Sequence, residues 1–591
     1  MMRRAMWVVM LMGMVLLVPR RAEAEDRAAF RGAVELKGFR LLAIQHRDQV
    51  KIMDSWARQS LTTICHRSSI GGEDPLYTAL DIAFRPEAWA ERNIIYVQAI
   101  PIRQRLAAFE TGSEAGRILR EGLVSPRFIE REEVLRLLSQ LSGDMKLLAS
   151  VNKIKAGYET YRNLWATLAF VPPGEGGKGG PWRLAMELWA NFPEGQAELA
   201  RRGEKAESAV PGYSAEEAKA LWLAYQALAR GWAAGDARMV NGAIGTLTTM
   251  LPRIDPEGGY PSVAKRMTEL WYNRTFYGTV MNVFLYFVAM TLFLLVTVVG
   301  NRKPIPAKAG AIRGHQRFRL WRYAYPMFSV AVILHLASMG VRMWLAGRWP
   351  TQNQFESVLG AALLGCIVGW CLETWKKNGL FGMAFSFVGF LAMTACMAAP
   401  YMFGNDLGGA ISKTAGILQT YWLYIHVNVI IASYALIAAS FVLGGLYLLL
   451  KLWYWIHPRE PYQSRSRVDG DNSDFPAANG GQAHRLNAEM LGALDQANMV
   501  ILQMAFWFLG IGIVCGAVWA DYSWGRPWGW DPKETFALVT WIVYLIIVHV
   551  RLVVPKLKAE TTAWMSIAGF AVMMFNWIGV NYFLAGLHSY A

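Results

Sequence analysis

Eight long apolar stretches fill the C-terminal half of this chain, near Phe276 to Val299, Ala324 to Leu345, Phe355 to Thr374, Leu380 to Ala399, Ile425 to Leu450, Met499 to Trp519, Thr535 to Val554 and Ala563 to Leu584. Each is long enough to cross a hydrocarbon layer of roughly 30 Å as a helix rising about 1.5 Å per residue. Lipid offers backbone N–H and C=O groups no water to bond, so segments of this kind must satisfy themselves as helices. The expected fold is all-α: a polytopic membrane bundle of about eight spans over 274–591, preceded by a mainly helical extracytoplasmic domain over 25–273. The soluble reading of that domain rests on Arg131 to Leu168 and Ser214 to Leu251, where apolar residues recur at spacings of three and four. Pro172 to Pro181, rich in glycine, is expected to separate two helical halves.

Charge orients the spans. A formal net charge of +15 could suggest a nucleic-acid partner, but in a membrane protein the position of Lys and Arg relative to the spans carries the information. The loop after the first stretch holds Arg302, Lys303, Lys308, Arg313, Arg317, Arg319 and Arg322 without one acid. By the positive-inside rule it is cytoplasmic, and Lys376-Lys377, Lys451 to Asn498, and Arg551, Lys556 and Lys558 fall on the same side. Gly347 to Gln354, Tyr401 to Tyr424 and Ala520 to Glu534 then face outward, with the N-terminal domain and the C-terminus. Pro458 to Gln482, polar and rich in Pro, Ser, Asp and Gly, reads as a cytoplasmic tether. Residues 1–24, with Arg3-Arg4, an apolar run from Met6 to Val18 and Ala22-Glu23-Ala24, read as a secretory signal peptide or an N-terminal anchor. Four of the five cysteines fall in apolar stretches and Cys65 alone in the polar domain, so no disulfide framework or cysteine zinc site assembles; Cys-x-x-Cys-His, which would carry a covalent haem, is absent.

The outward segment 519–534 contains Trp524-Gly-Arg526-Pro-Trp528-Gly-Trp530-Asp531-Pro-Lys533-Glu534. Tryptophan favours the membrane boundary and can also stack on a large planar ligand. His426 and His588 reach the same outer surface. Singly, each reads as an interfacial histidine bonded to water or backbone. Jointly, two imidazoles beside an indole platform match a six-coordinate haem. Arg526 and Lys533 could answer haem propionates, while Asp531-Pro532-Lys533-Glu534 has the form of a helix start, with Asp531 the more structural residue. His335 and His549 lie within spans, where an ionisable group is expensive and points to function. They could ligate a second haem, or hydrogen-bond across helices. Otherwise the spans hold few charges, Glu373 being the closest approach, which argues against a transporter with an interfacial tryptophan belt.

The run Trp524 to Trp541, continuing to Tyr544 and His549, resembles the tryptophan-rich signature of the CcsA (ResC) family of cytochrome c assembly proteins. Leu345 to Ser357, Leu418 to Val427 and Gly586 to Tyr590 look like further segments of that family. The resemblance implies that His426 and His588 are axial ligands of an outer haem b, that Trp524, Trp528 and Trp530 form its platform, and that His549 holds a membrane haem, with His335 or a separate protein as its second ligand. It further implies a haem lyase component of a bacterial inner (cytoplasmic) membrane, working with a ResB/CcsB-type partner, thiol-reducing proteins and the Cys-x-x-Cys-His segment of apocytochrome c. Membrane lipid surrounds it, and nucleic acid has no part. Arg348-Trp349-Pro350 lacks the histidine that many members carry before that proline. A bis-histidine haem protein that passes electrons is the alternative.

Overall fold

The computed structural model describes residues 24–174, 180–201, 210–254, 260–275, 278–300, 308–403, 409–411, 420–456, 480–554, 559–580 and 584. The chain forms two compact units, one essentially Met1–Arg274 with short pieces of 400–413, the other Thr275–Ala399 with Leu407–Gly409 and Thr414–Ala591.

The N-terminal unit is mainly helical with two small two-stranded sheets. Ala43–His46 pairs antiparallel with Gln49–Ile52, and the two connecting residues, Arg47 and Asp48, both have positive φ (54° and 57°), the turn geometry that matches strand twist. Helix Pro75–Phe84 starts where Asp74 accepts from the Leu76 and Tyr77 amides with Pro75 next in line. The core is organised around indoles. Asp81 accepts from the Trp89 and Trp232 Nε1 atoms at 2.9 and 3.0 Å, tying that helix to Ala215–Ala234 through a buried carboxylate. Gly235, at φ 76°, ends the latter helix and lets the chain fold back as Ala237–Ile254. The middle of the glycine-rich separator, 175–179, lies outside the described residues.

In the second unit, eight helices among the described residues are long and apolar enough to cross a bilayer, as the apolar runs predict. Span 1 is Thr279–Gly300, span 2 Lys308–Ala346, span 3 Gln354–Lys376, span 4 Leu380–Phe403, span 5 Tyr421–Ile456, span 6 Gly480–Trp524, span 7 Pro532–Val553 and span 8 Ala559–Met574, continued by a π-helical turn, Phe575–Gly579. The protein is a multi-pass membrane protein. Span 6 has 45 residues, roughly 67 Å at about 1.5 Å each. It starts well before the apolar run, because the polar stretch ahead of Met499 keeps good helix formers. Gly480 to Gln482, expected within a tether, are helical; the rest of that tether lies outside the described residues.

Spans 3 and 4 approach closely because a Cβ at Gly369 would lie 2.4 Å from the Phe385 ring. Between spans 5, 6 and 8, Ser440 donates to Asn498 at 2.6 Å and Asn498 to Ser566 at 3.0 Å. Glu373, fully buried, accepts from Trp321 Nε1 and from the Gly379 and Gly382 amides, so its charge caps the start of span 4.

Within the N-terminal unit, Lys51 is 4% exposed and its ammonium donates to Gln59. Burial pushes its pKa down from lysine's ordinary value to about 8, with Glu269 opposing and Arg47 assisting. The unfolded chain therefore holds this proton more tightly. Below about pH 8 the cost of the buried charge is present in full, and from about pH 8 to 10 stability rises because the unfolded state binds more protons than the folded one. Lys51→Met, which removes a buried charge, should raise the melting temperature of the detergent-solubilised chain by about 2–4 °C at pH 7. That advantage should shrink toward pH 10. An advantage that stays constant across this range would show that Lys51 is not charged against its surroundings.

Candidate functional site

A cavity of about 230 Å³ opens among the ends of spans 5 to 8 and the loop between spans 2 and 3. His426, Trp519, Trp528, Lys533, Asn576, Trp577 and Gln352 are among its walls. Each is placed by a local device.

His426 stands in the second turn of span 5. Its Nδ1 lies 2.7 Å from the Gly512 carbonyl of span 6, an acceptor, so the proton sits on Nδ1 and the lone pair on Nε2. The ring runs nearly parallel to Trp519, 11° between planes and 6.1 Å between centres. Gly516 makes this possible, since a Cβ there would lie 2.6 Å from His426 Cε1. A histidine fixed through Nδ1 on a carbonyl and presenting Nε2 is the arrangement that metal-binding imidazoles use. Among the described residues no cluster of three or more His, Cys, Asp or Glu could hold a metal ion alone, so a metal at His426 would bring other ligands with it.

The tryptophan-rich segment is a strained connector between spans 6 and 7. Gly525 and Trp530 both have positive φ (68° and 56°); for tryptophan this conformation costs about 1–2 kcal/mol. The turn is held by its own helix start. Asp531 accepts from the Lys533 amide at 3.2 Å, and Glu534 accepts from the Asp531 and Gly529 amides at 3.2 and 2.8 Å. The helix-start reading of Asp531 and Glu534 is therefore what the geometry displays. Of the three tryptophans expected to form a platform, Trp528 lines the cavity. Trp524 meets Trp519 edge to face at 4.8 Å and backs it, and Trp530, 69% exposed, meets Trp528 edge-on at 5.8 Å. Arg526 is exposed and packs over Gly529.

Lys533 turns inward. Its Nζ donates to the Asn576 and Trp577 carbonyls at 2.8 and 3.0 Å. Those carbonyls belong to the π-helical turn, whose widened backbone frees acceptors that an α-helix would use. The ammonium thus binds the start of span 7 to the end of span 8 and still leaves a positive charge in the cavity wall.

The loop wall rests on a charge cluster that the sequence pattern did not single out. Arg342 and Glu356, both fully buried, pair at 2.8 Å, and Arg348 adds bonds to both Glu356 oxygens at 2.9 and 3.1 Å. Arg342 also donates to the Gly409 carbonyl, and Glu356 accepts from the Gln352 amide. Spans with few charges were expected, yet this fully paired cluster is buried at their ends. The signal available was Arg342, Arg348 and Glu356 falling within fifteen residues of one apolar hairpin. Trp519 and Asn576 were also missed, since nothing in their local sequence separates them from neighbouring span residues, and so was Gln352, one of several polar residues in the loop between spans 2 and 3.

The other predicted ligands stand apart. His335 is 1% exposed and its Nδ1 lies 3.1 Å from the Tyr286 hydroxyl, joining spans 1 and 2. His549 is exposed on span 7, with Nδ1 2.9 Å from the Leu545 carbonyl and its ring edge-on to Phe506 of span 6. The two occupy different helix pairs. His588 lies outside the described residues.

Fold and cavity together define a polytopic helical membrane protein with an aromatic cleft and one positioned imidazole. The family described as Cytochrome C assembly protein matches residues 351–588, which hold this cleft. The cytochrome c biogenesis protein CcsA of Guillardia theta is 30% identical over 43% of this chain and 80% of its own length, and that of Porphyra purpurea is 28% identical over 45% of this chain and 90% of its own. Protein NrfI of Wolinella succinogenes is 30% identical over 44% of this chain, but the match spans only 25% of NrfI. The chain belongs to the CcsA family of cytochrome c assembly proteins.

Because Lys533 satisfies two carbonyls of the π turn, Lys533→Met should leave them unbonded and loosen that turn. Hydrogen–deuterium exchange over 575–580 should quicken about tenfold, corresponding to about 1.4 kcal/mol, with little change in spans 3 and 4. Unaltered exchange there would show that the ammonium does not hold the turn.

Proposed function

We propose that this protein presents haem for cytochrome c assembly, with the cavity beside His426 as the presenting site. The observation that carries the reading is the His426 imidazole, fixed through Nδ1 and offering Nε2 beside Trp519 in an aromatic cleft, within a chain of the cytochrome c assembly family. The substrate is haem b. His426 would ligate one face of its iron and His588 the other, while Trp519, Trp528 and Trp577 flank the macrocycle. Two axial imidazoles keep oxygen off the iron. When an apocytochrome Cys-x-x-Cys-His segment docks, its histidine replaces one ligand and its two thiols add across the two vinyl groups. Each addition forms one C–S bond while the thiol hydrogen goes to the neighbouring carbon, so no oxidant is consumed. The contribution of this chain is alignment and exclusion, which can be worth several kcal/mol of barrier without an acid–base residue.

The site would lie on the outer face of a bacterial inner membrane, an orientation that the basic loops of the sequence support. His549 supplies a ligand for haem at the membrane level. Its exposed position on span 7 favours a second ligand from a ResB/CcsB-type partner over His335, because an uncovered imidazole in lipid is costly and His335 is already bonded to Tyr286. Thiol-reducing proteins would keep the client cysteines reduced, since the sole cysteine of the N-terminal unit, Cys65, is buried and its thiol is pushed up to about 11 by burial.

Purified native protein should show the sharp Soret and visible bands of low-spin, bis-imidazole haem. His426→Ala and His588→Ala should each abolish those bands at the outer site and reduce holocytochrome c yield at least tenfold, with added imidazole restoring part of the spectrum. Gly516→Val, which pushes a side chain into the His426 ring, should reproduce the His426→Ala spectrum. Unchanged haem content and cytochrome yield in both histidine variants would defeat the proposal.

A further inference from the structure

Two carboxamides in the cavity wall have hydrogen-bonding capacity that the described residues leave unused. Asn576 is fully buried at the π turn; its Nδ2 donates to the Tyr434 hydroxyl at 3.0 Å and its Oδ1 has no partner among the described residues. Gln352, on the opposite loop, has both Oε1 and Nε2 shielded and unpartnered among the described residues, although its backbone amide is bonded to Glu356. Tyr434 lines the same cavity, and its hydroxyl, accepting from Asn576, retains a proton to donate. Buried polar groups left unsatisfied are destabilising, so three such atoms on two residues of one cavity wall call for a reason. The π turn that carries Asn576 is itself a departure from α geometry of the kind that recurs at ligand sites.

We infer that Gln352, Asn576 and Tyr434 form a subsite for a carboxyl group of the bound tetrapyrrole, fixing which edge of the macrocycle enters the cleft. The inference rests on the haem reading above and adds to it a rule of orientation. A carboxyl group suits this set in either protonation state. As the neutral acid it donates to Asn576 Oδ1 or Gln352 Oε1 and accepts from Gln352 Nε2. As the anion it accepts from Gln352 Nε2 and the Tyr434 hydroxyl, with the Lys533 ammonium in the same wall. The carboxylates nearby, Asp531 and Glu534, already accept backbone amides of the span 7 start, which weakens their opposition to a second negative group. Arg526 at the exposed rim is farther from solvent exclusion and offers less discrimination. The three residues are positioning residues: they hold the ligand and take no part in bond formation. With one edge held by its carboxyl, the vinyl-bearing part of the ring is set in a single register toward the open side, where thiols can reach it.

The test uses the full-length, detergent-solubilised protein stripped of haem, titrated with haemin and with haemin dimethyl ester. The native protein should bind haemin about tenfold more tightly than the ester. Gln352→Leu, which removes no bond made to the protein, should bring haemin down to the level of the ester while retaining the low-spin Soret band, and Asn576→Leu should do the same. The propionate-bending band in resonance Raman should shift in Gln352→Leu but not in Arg526→Leu. Equal affinity of native protein for haemin and ester, or variants that keep the full preference, would overturn the subsite and mean that the carboxamides hold only water. If the native protein binds neither compound with a low-spin spectrum, the haem reading itself fails, an outcome distinct from loss of the preference alone.

Discussion

The bond from His426 to the Gly512 carbonyl, made across a helix surface cleared by Gly516, is the contact around which the cleft is arranged. It does three things together. It sets the tautomer, so that Nε2 carries the lone pair; it sets the ring plane, parallel to Trp519; and it joins the ends of spans 5 and 6 without interposing a bulky side chain. Any residue larger than glycine at 516 would separate the two helices or rotate the ring, and either change moves the imidazole off the cavity. On the proposed reading of His426 as an iron ligand, that rigidity matters, because a mobile imidazole would let solvent compete for the iron.

The second constraint is the short connector between spans 6 and 7. A tryptophan with positive φ is an unfavourable backbone state, held here by a reciprocal helix start from Asp531 and Glu534 and, one turn away, by Lys533 reaching the π turn of span 8. Two irregularities, the strained turn and the widened helix, are thus joined through one side chain.

Much of this was legible in the sequence, for identifiable reasons. Apolar length reads out spans because lipid leaves backbone groups no alternative to helix, and all eight appear among the described residues. Asp531-Pro532-x-Glu534 reads as a helix start because that chemistry is local to four residues. Helix ends facing water were less legible: span 6 begins at Gly480 because polar helix formers continue a helix beyond the bilayer without any apolar signal. The features that stayed hidden depend on neighbours distant in sequence. Gly512 and Gly516 look like ordinary membrane-helix glycines until His426 is seen lying on them. Asn576 looks like a stray polar residue in the last apolar run until the π turn and its oxygen, unmet among the described residues, are found lining the same cavity as Gln352, more than two hundred residues away in sequence. The role of Lys533 likewise divides: its charge suggested an anion partner, while its bonds are made to backbone carbonyls.

The distribution of charge around the cleft obeys one logic. Arg342 and Arg348 both bond to Glu356, so the buried carboxylate is held by two guanidinium groups, which stiffens the loop carrying Gln352. Lys533 is committed to carbonyl oxygens and Glu534 to amides, each neutralising a helix end as well as itself. Beside Lys533 and Glu534, the cavity wall carries neutral groups: an imidazole, indole faces, carboxamides and a phenol. Such a wall would hold the proposed macrocycle mainly by dispersion and orient it by hydrogen bonds, with the Lys533 ammonium, already bonded to two carbonyls, close by. For the proposed task of presenting haem and then releasing it, recognition mainly by hydrogen bonds and aromatic contact is the better physical choice, since a buried salt bridge to the ligand would have to be broken at every turnover.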